Sequence, residues 1–196
     1  MAQGSDSRLM IDEDFFGAGS ALAATTAPPI ALGSLNVVGQ GIADTDSGAP
    51  RMDSDGLNGV IQLTTTNEDV HAAGLQSATM FDVALMGSIV LEARVRQAAL
   101  NTGEVFIGFS DVNTDLAIIE GAICHGDTVT VTLTASDLVG FLMASDLTDN
   151  SDWHGVYNGG TTTGETTSTS VDFDAGATAG EYQVLRLELF PNGTAE

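Results

Sequence analysis

The chain has 196 residues and sets 27 acidic side chains against 5 basic ones, a formal charge of −22. All five bases are arginines (Arg8, Arg51, Arg94, Arg96, Arg186), too few and too scattered to neutralise a run of phosphates or to hold an anionic lipid surface. Neither nucleic acid nor membrane is therefore expected as a partner, and the lack of lysine removes Schiff-base and phosphate-loop lysine chemistry. Hydrophobic residues make up 43% of the chain, enough for a packed core.

In chain order, Met1-Ala2-Gln3-Gly4-Ser5-Asp6 lacks the basic start and apolar stretch of a signal peptide, which predicts a product not exported by the general route. Residues 1–35 are rich in Ala, Gly and Thr around Pro28-Pro29. They read as an extended N-terminal arm with one early strand near Phe15-Phe16. Residues 36–196 read as one β-sandwich domain. Within it, short strands are predicted at 36–38, 60–65 and 80–85, with a short helix at 67–73. Ile89, Leu91, Ala93 and Val95 then alternate with Val90, Glu92, Arg94 and Arg96, and Val105, Ile107 and Phe109 alternate with Glu104, Phe106 and Gly108. Val129, Val131 and Leu133 alternate with Thr128, Thr130, Thr132 and Thr134, the pattern of a half-buried strand. Further strands are predicted at 140–143 and, from Leu185, Leu187 and Leu189, near the end of the chain. Turn signals separate them: Asn101-Thr102-Gly103, Asp111-Val112-Asn113, His125-Gly126-Asp127 and Asn158-Gly159-Gly160. Residues 161–170 form a threonine-rich surface loop. Pro191-Asn192-Gly193 is a hairpin turn, leaving Thr194-Ala195-Glu196 as a stub of returning strand beside an open edge. Many short strands at this spacing predict an all-β fold, an antiparallel β-sandwich.

Candidate chemistry is sparse. Asp172 and Asp174 would share a strand face, as paired glycosidase carboxylates do, but Gly176 stands where a third acid would follow; a polar strand end explains them better. No Gly-x-Ser-x-Gly elbow occurs. Cys124 and His125 are adjacent, so on a strand they point to opposite faces and make no dyad; Cys124 reads as a small core residue. His71, His125 and His154 show no ligand spacing. Asp111-x-Asn113-x-Asp115 begins like a calcium loop and then fails, with Leu116 at the sixth position and Ala122 at the twelfth. Asp53-x-Asp55-Gly56 and residues 146–152 are further acidic turns. No enzyme and no resident cofactor are expected, and calcium at Asp111, Asn113 and Asp115 is the one metal these turns would suit. The single cysteine forms no internal disulfide. Trp153 with Tyr157 reads either as a sugar-stacking platform or as a core or interface anchor. Arg94 and Arg96 share a strand face, available to salt bridges with Glu92 or Glu188 or to the carboxylates of a partner. Phe15, Phe16, Arg94, Arg96 and Trp153 are the candidate partner contacts.

The succession from Gly87-Ser88-Ile89-Val90-Leu91-Glu92-Ala93-Arg94-Val95-Arg96 into Gly103-Glu104-Val105-Phe106-Ile107-Gly108-Phe109-Ser110-Asp111 continues through Val139-Gly140-Phe141-Leu142 and the Trp153 region. It closes on Glu181-Tyr182-Gln183-Val184-Leu185-Arg186-Leu187-Glu188-Leu189. Over residues 75–196 this resembles the concanavalin-like (laminin-G-type) β-sandwich proteins of tailed-phage structural gene modules. The resemblance implies a bacteriophage virion component without catalytic residues: a capsid decoration, or cement, protein on the capsid exterior. Its implied partners are the major capsid protein, whose subunits it would clamp, and further copies of itself in a homo-oligomer. The alternative is a carbohydrate-binding or adhesin module of a tail or fibre, assisted by calcium. An acidic, lysine-free surface also suits a particle in saline surroundings, where salt relieves its self-repulsion.

Overall fold

The computed structural model describes residues 11, 13, 15, 30–40, 51–52, 59–65, 71–77, 81–114, 119–159 and 172–196. These residues are mostly strand, and every ladder between strands is antiparallel, so the fold is all-β. The chain forms two compact units, Met1–Met80 with Thr114–Ile118 and Phe81–Asn113 with Ile119–Glu196. The composition boundary at 35/36 lies within the strand Leu35–Val38, and most of residues 1–29 of the expected arm lie outside the described residues.

The first unit holds β1 (Ile30–Leu32), β2 (Leu35–Val38), β3 (Arg51–Met52), β4 (Ile61–Gln62) and β5 (Gly74–Gln76). β1, β2 and β5 make one sheet and β3–β4 a separate ladder. Leu32 and Val37 are buried, with Phe15, Ile61, Ala73 and Leu75 packed partly buried against them. The turn at Gly33-Ser34 is held from outside the sheet, because the Glu13 carboxylate accepts the Ser34 N–H (2.9 Å) and hydroxyl (3.0 Å). Two expectations change here. Phe15 has φ +52 and lies in a bend, so the early strand is not formed at that residue, while Phe16 lies outside the described residues. Of the helix expected at 67–73, the described residues 71–73 are not helical.

The second unit opens with α1 (Val83–Met86), where apolar content predicts a strand. The reason is capping. Asp82 accepts the N–H groups of Ala84 (2.9 Å) and Leu85 (3.2 Å), and Gly87 ends the turn at φ 85. Next come β6 (Ile89–Arg96), β7 (Glu104–Ser110), a π-helical turn (Ile119–Ile123), β8 (Cys124–Asp127), β9 (Thr130–Leu133), β10 (Leu138–Ala144), β11 (Asp152–Asn158), β12 (Asp172–Gly176) and β13 (Tyr182–Leu189). A four-stranded sheet in the order β12-β11-β10-β7 is accompanied by a β6–β13 ribbon and a β8–β9 hairpin.

Alternation decides the packing. On one face of the sheet, Leu138, Leu142, Ala144 and Val156 form a core with Cys124, Val131, Ala135 and Leu147, against which Phe106, Val112, Ile123 and Leu133 pack. The other face buries Met143 and Trp153. There the Trp153 indole N–H donates to Gln183 Oε1 of β13 (2.9 Å) and Gln97 Nε2 reaches Met143 Sδ (3.0 Å), so the ribbon lies along this face. Phe81 meets Phe109 edge-on with ring centroids 5.6 Å apart. The result is a layered, sandwich-like arrangement.

His125-Gly126-Asp127 is strand rather than turn. Gly126 is buried against the end of β10 and the segment that follows it, where a Cβ would come within 2.6 Å of Leu147 Cγ and 2.7 Å of Ala144 Cβ. Glycine is there to let the hairpin close on the sheet. The turn comes two residues later, at Thr128 (φ 56), which leaves Val129 exposed and starts the alternation at Thr130. At the other end, the Pro191-Asn192-Gly193 turn forms, and Glu188 exchanges both backbone hydrogen bonds with Glu196 (2.7 and 2.9 Å).

Candidate functional site

Asp152, Asp172 and Asp174 come together at the β11–β12 ladder. Each offers a carboxylate oxygen within 4.8 Å of the others, the one such acidic group among the described residues. The third acid that strand spacing denies at Gly176 is supplied by the neighbouring strand, since Asp152 pairs with Gly176 and His154 with Asp172 across a bulge. The bulge shapes the corner. Asp174 takes φ 49 and its N–H donates to Asp172 Oδ1 (2.8 Å), an Asx turn that occupies one oxygen of the supposed glycosidase pair. Three neighbouring carboxylates are chemically suited to a hard cation with oxygen ligands. Between the two β12 acids, Phe173 is 55% exposed and lies over Gly155, where a side chain would collide with its ring; it meets Phe141 edge-on at 6.0 Å. Tyr157 is 43% exposed.

Trp153 is corrected from contact candidate to core residue. It is 2% exposed and its indole N–H is satisfied by Gln183, so no ring face is open for a sugar or a partner. His154 is wholly buried; its Nε2 lies 3.1 Å from the Asp149 carbonyl oxygen, which can only accept, so Nε2 carries the proton. Phe15 packs on the Leu32–Val37 core.

Around β8, Glu104 joins two groups: His125 Nδ1 at 2.9 Å and the Gly126 N–H at 2.8 Å. Cys124 faces the other way, fully buried in the core. Burial, and secondarily the Glu104 charge, pushes its thiol up to about 12. A thiol so held is protonated at neutral pH and is no nucleophile. Asp111 and Asn113 are exposed, and Asp115 lies outside the described residues.

The outer face of the β6–β13 ribbon collects the remaining candidates. Arg96 stands opposite Tyr182, Arg94 opposite Val184, Glu92 opposite Arg186, and Val90 opposite Glu188. The Tyr182 ring carries the Arg94 guanidinium at 4.0 Å and that of Arg96 at 5.0 Å. Arg186 pairs with Glu188 at 3.0 Å. Stacking on Tyr182 is an arrangement that strand alternation alone does not announce. It could have been found by pairing the two strongest period-two segments and reading across the ladder.

Compared with known protein families, with curated proteins and with solved structures, the chain matches none.

Proposed function

We propose that the protein is a non-enzymatic structural component of a tailed-phage virion, a concanavalin-like or jelly-roll β-sandwich that decorates the capsid exterior and clamps subunits of the major capsid protein. The observation that carries this reading is the contrast between the two units. Among the described residues, the second unit buries a cluster around Leu142, Val131 and Cys124, whereas the buried apolar side chains of the first are Leu32 and Val37, with Phe15, Ile61, Ala73 and Leu75 partly buried against them. Strands whose described core is this small gain from lying against a further surface, as a clamping segment does. The all-β fold and the resemblance over residues 75–196 support the same reading. Quantitative mass spectrometry of purified particles from the source culture, scaled to the major capsid protein, tests it. Copy numbers comparable to the capsid subunit are expected, and absence from the particles overturns it.

A second reading, a calcium-assisted carbohydrate-binding or adhesin module of a tail or fibre, is favoured by the carboxylate cluster beside exposed Phe173. It moves the stacking surface from Trp153 to Phe173 and Tyr157. Glycan binding that needs calcium and is lost in Asp172→Asn and Phe173→Ala would carry it; a glycan array without hits, with calcium present, would remove it.

A further inference from the structure

Every arginine of the second unit lies on one surface, the outer face of the β6–β13 ribbon. In a chain of charge −22 this is the place where another acidic molecule can approach without meeting only like charge. The face is also apolar for a surface: Val184 is 62% exposed, Val90 44% and Tyr182 36%. Its charges are ordered along the strands. Arg96 and Arg94 stand at the end beside Tyr182 and Val184, while Glu92 and Glu188 stand toward the other end, with Arg186 already paired to Glu188.

A positive end and a negative end on one face make that face complementary to itself when turned about a two-fold axis. We propose that two copies of this chain pair through their β6–β13 outer faces about such an axis, crossing the strands, so that β6 lies over β6 in the opposite direction. Arg94 of each copy then meets Glu92 of the other, and Arg96 comes toward the end that carries Glu188. Val184 and Tyr182 are covered at the centre and rim. Stacking on Tyr182 holds the Arg94 guanidinium in place while its in-plane N–H groups stay available for a carboxylate. The inference rests on the assembly role proposed above and names the self-contact of the oligomer.

The chain as a whole carries −22, so low salt opposes pairing. At about 0.01 M salt the Debye length is about 30 Å and whole-molecule repulsion keeps copies apart; at about 0.15 M it is about 8 Å and the local pairs prevail. Sedimentation velocity of the purified chain at these two salts reads this directly. A dimer at the higher salt is expected, and a monomer at both salts overturns the proposal. Arg94→Glu and Glu92→Arg should each weaken pairing by at least about tenfold, with unchanged thermal unfolding. Mixed with one another, these two variants should pair again, because each supplies the charge the other now needs. A dimer indifferent to both substitutions, or variants that do not pair on mixing, overturns the two-fold arrangement. Particle copy number is a separate readout. A monomer found abundantly on particles sinks this inference and spares the decoration reading, whereas a dimer absent from particles does the reverse.

Discussion

The two units of this chain use the same backbone device to different degrees. In the second, three layers meet, and Leu142, Val131, Cys124 and Ala144 are fully excluded from water by neighbours on several strands. In the first, β1, β2 and β5 make a sheet with the same antiparallel pairing, yet among the described residues its buried apolar side chains are Leu32 and Val37 alone. Hydrogen-bonded ladders are present in both, so pairing is not what distinguishes them. Among the described residues the difference is how much apolar surface each ladder covers, since a backbone hydrogen bond exchanged with water stabilises little and burial stabilises much.

Substitutions can press on that difference. Leu142→Ala removes a side chain from the centre of the larger core and should cost about 4 kcal/mol in urea unfolding followed by circular dichroism. A cost below about 1 kcal/mol would mean the core is loosely packed. Val37→Ala should cost about 2 kcal/mol, appearing as faster amide exchange in β1 and β2 with β10 and β11 unchanged. Faster exchange in β10 as well would show that the units share one cooperative transition.

The Cys124 thiol gives a pH test. Its folded value of about 12 lies above the ordinary thiol value of 9.0, so above pH 9 the unfolded chain releases a proton that the folded chain keeps. Stability is therefore flat below that point and falls by about 1.4 kcal/mol per pH unit from there toward pH 12. Cys124→Ala should flatten this slope. An identical alkaline limb in the variant would assign the loss to other groups. The smallest effect is expected at the cap of α1, where Asp82→Ala should cost about 0.5 kcal/mol in thermal unfolding.

Some of this architecture was legible in the sequence. The alternation at Ile89, Leu91, Ala93 and Val95 and at Leu185, Leu187 and Leu189 marked two strands that do pair, because each has one covered and one wet face. β11 was not legible: Trp153, His154 and Val156 are all buried, so its pattern has no period of two. β8 hid behind turn-like composition, since the glycine that serves close packing at Gly126 is the same residue that serves a turn. The acidic cluster was half legible. Asp172 and Asp174 announce themselves by spacing, but Asp152 joins them through a long-range ladder with a bulge, and no local rule encodes that register. The Arg94–Tyr182–Arg96 stack belongs to the same class, a cross-strand contact between segments far apart in sequence.

Trp153 is the chain's single tryptophan, and it sits where β11 meets β13. Indole emission from this protein is consequently a one-address signal. Its wavelength reports whether water has entered between sheet and ribbon. An emission red-shift that lags behind another spectroscopic transition would date the parting of those two layers, without any label having been added.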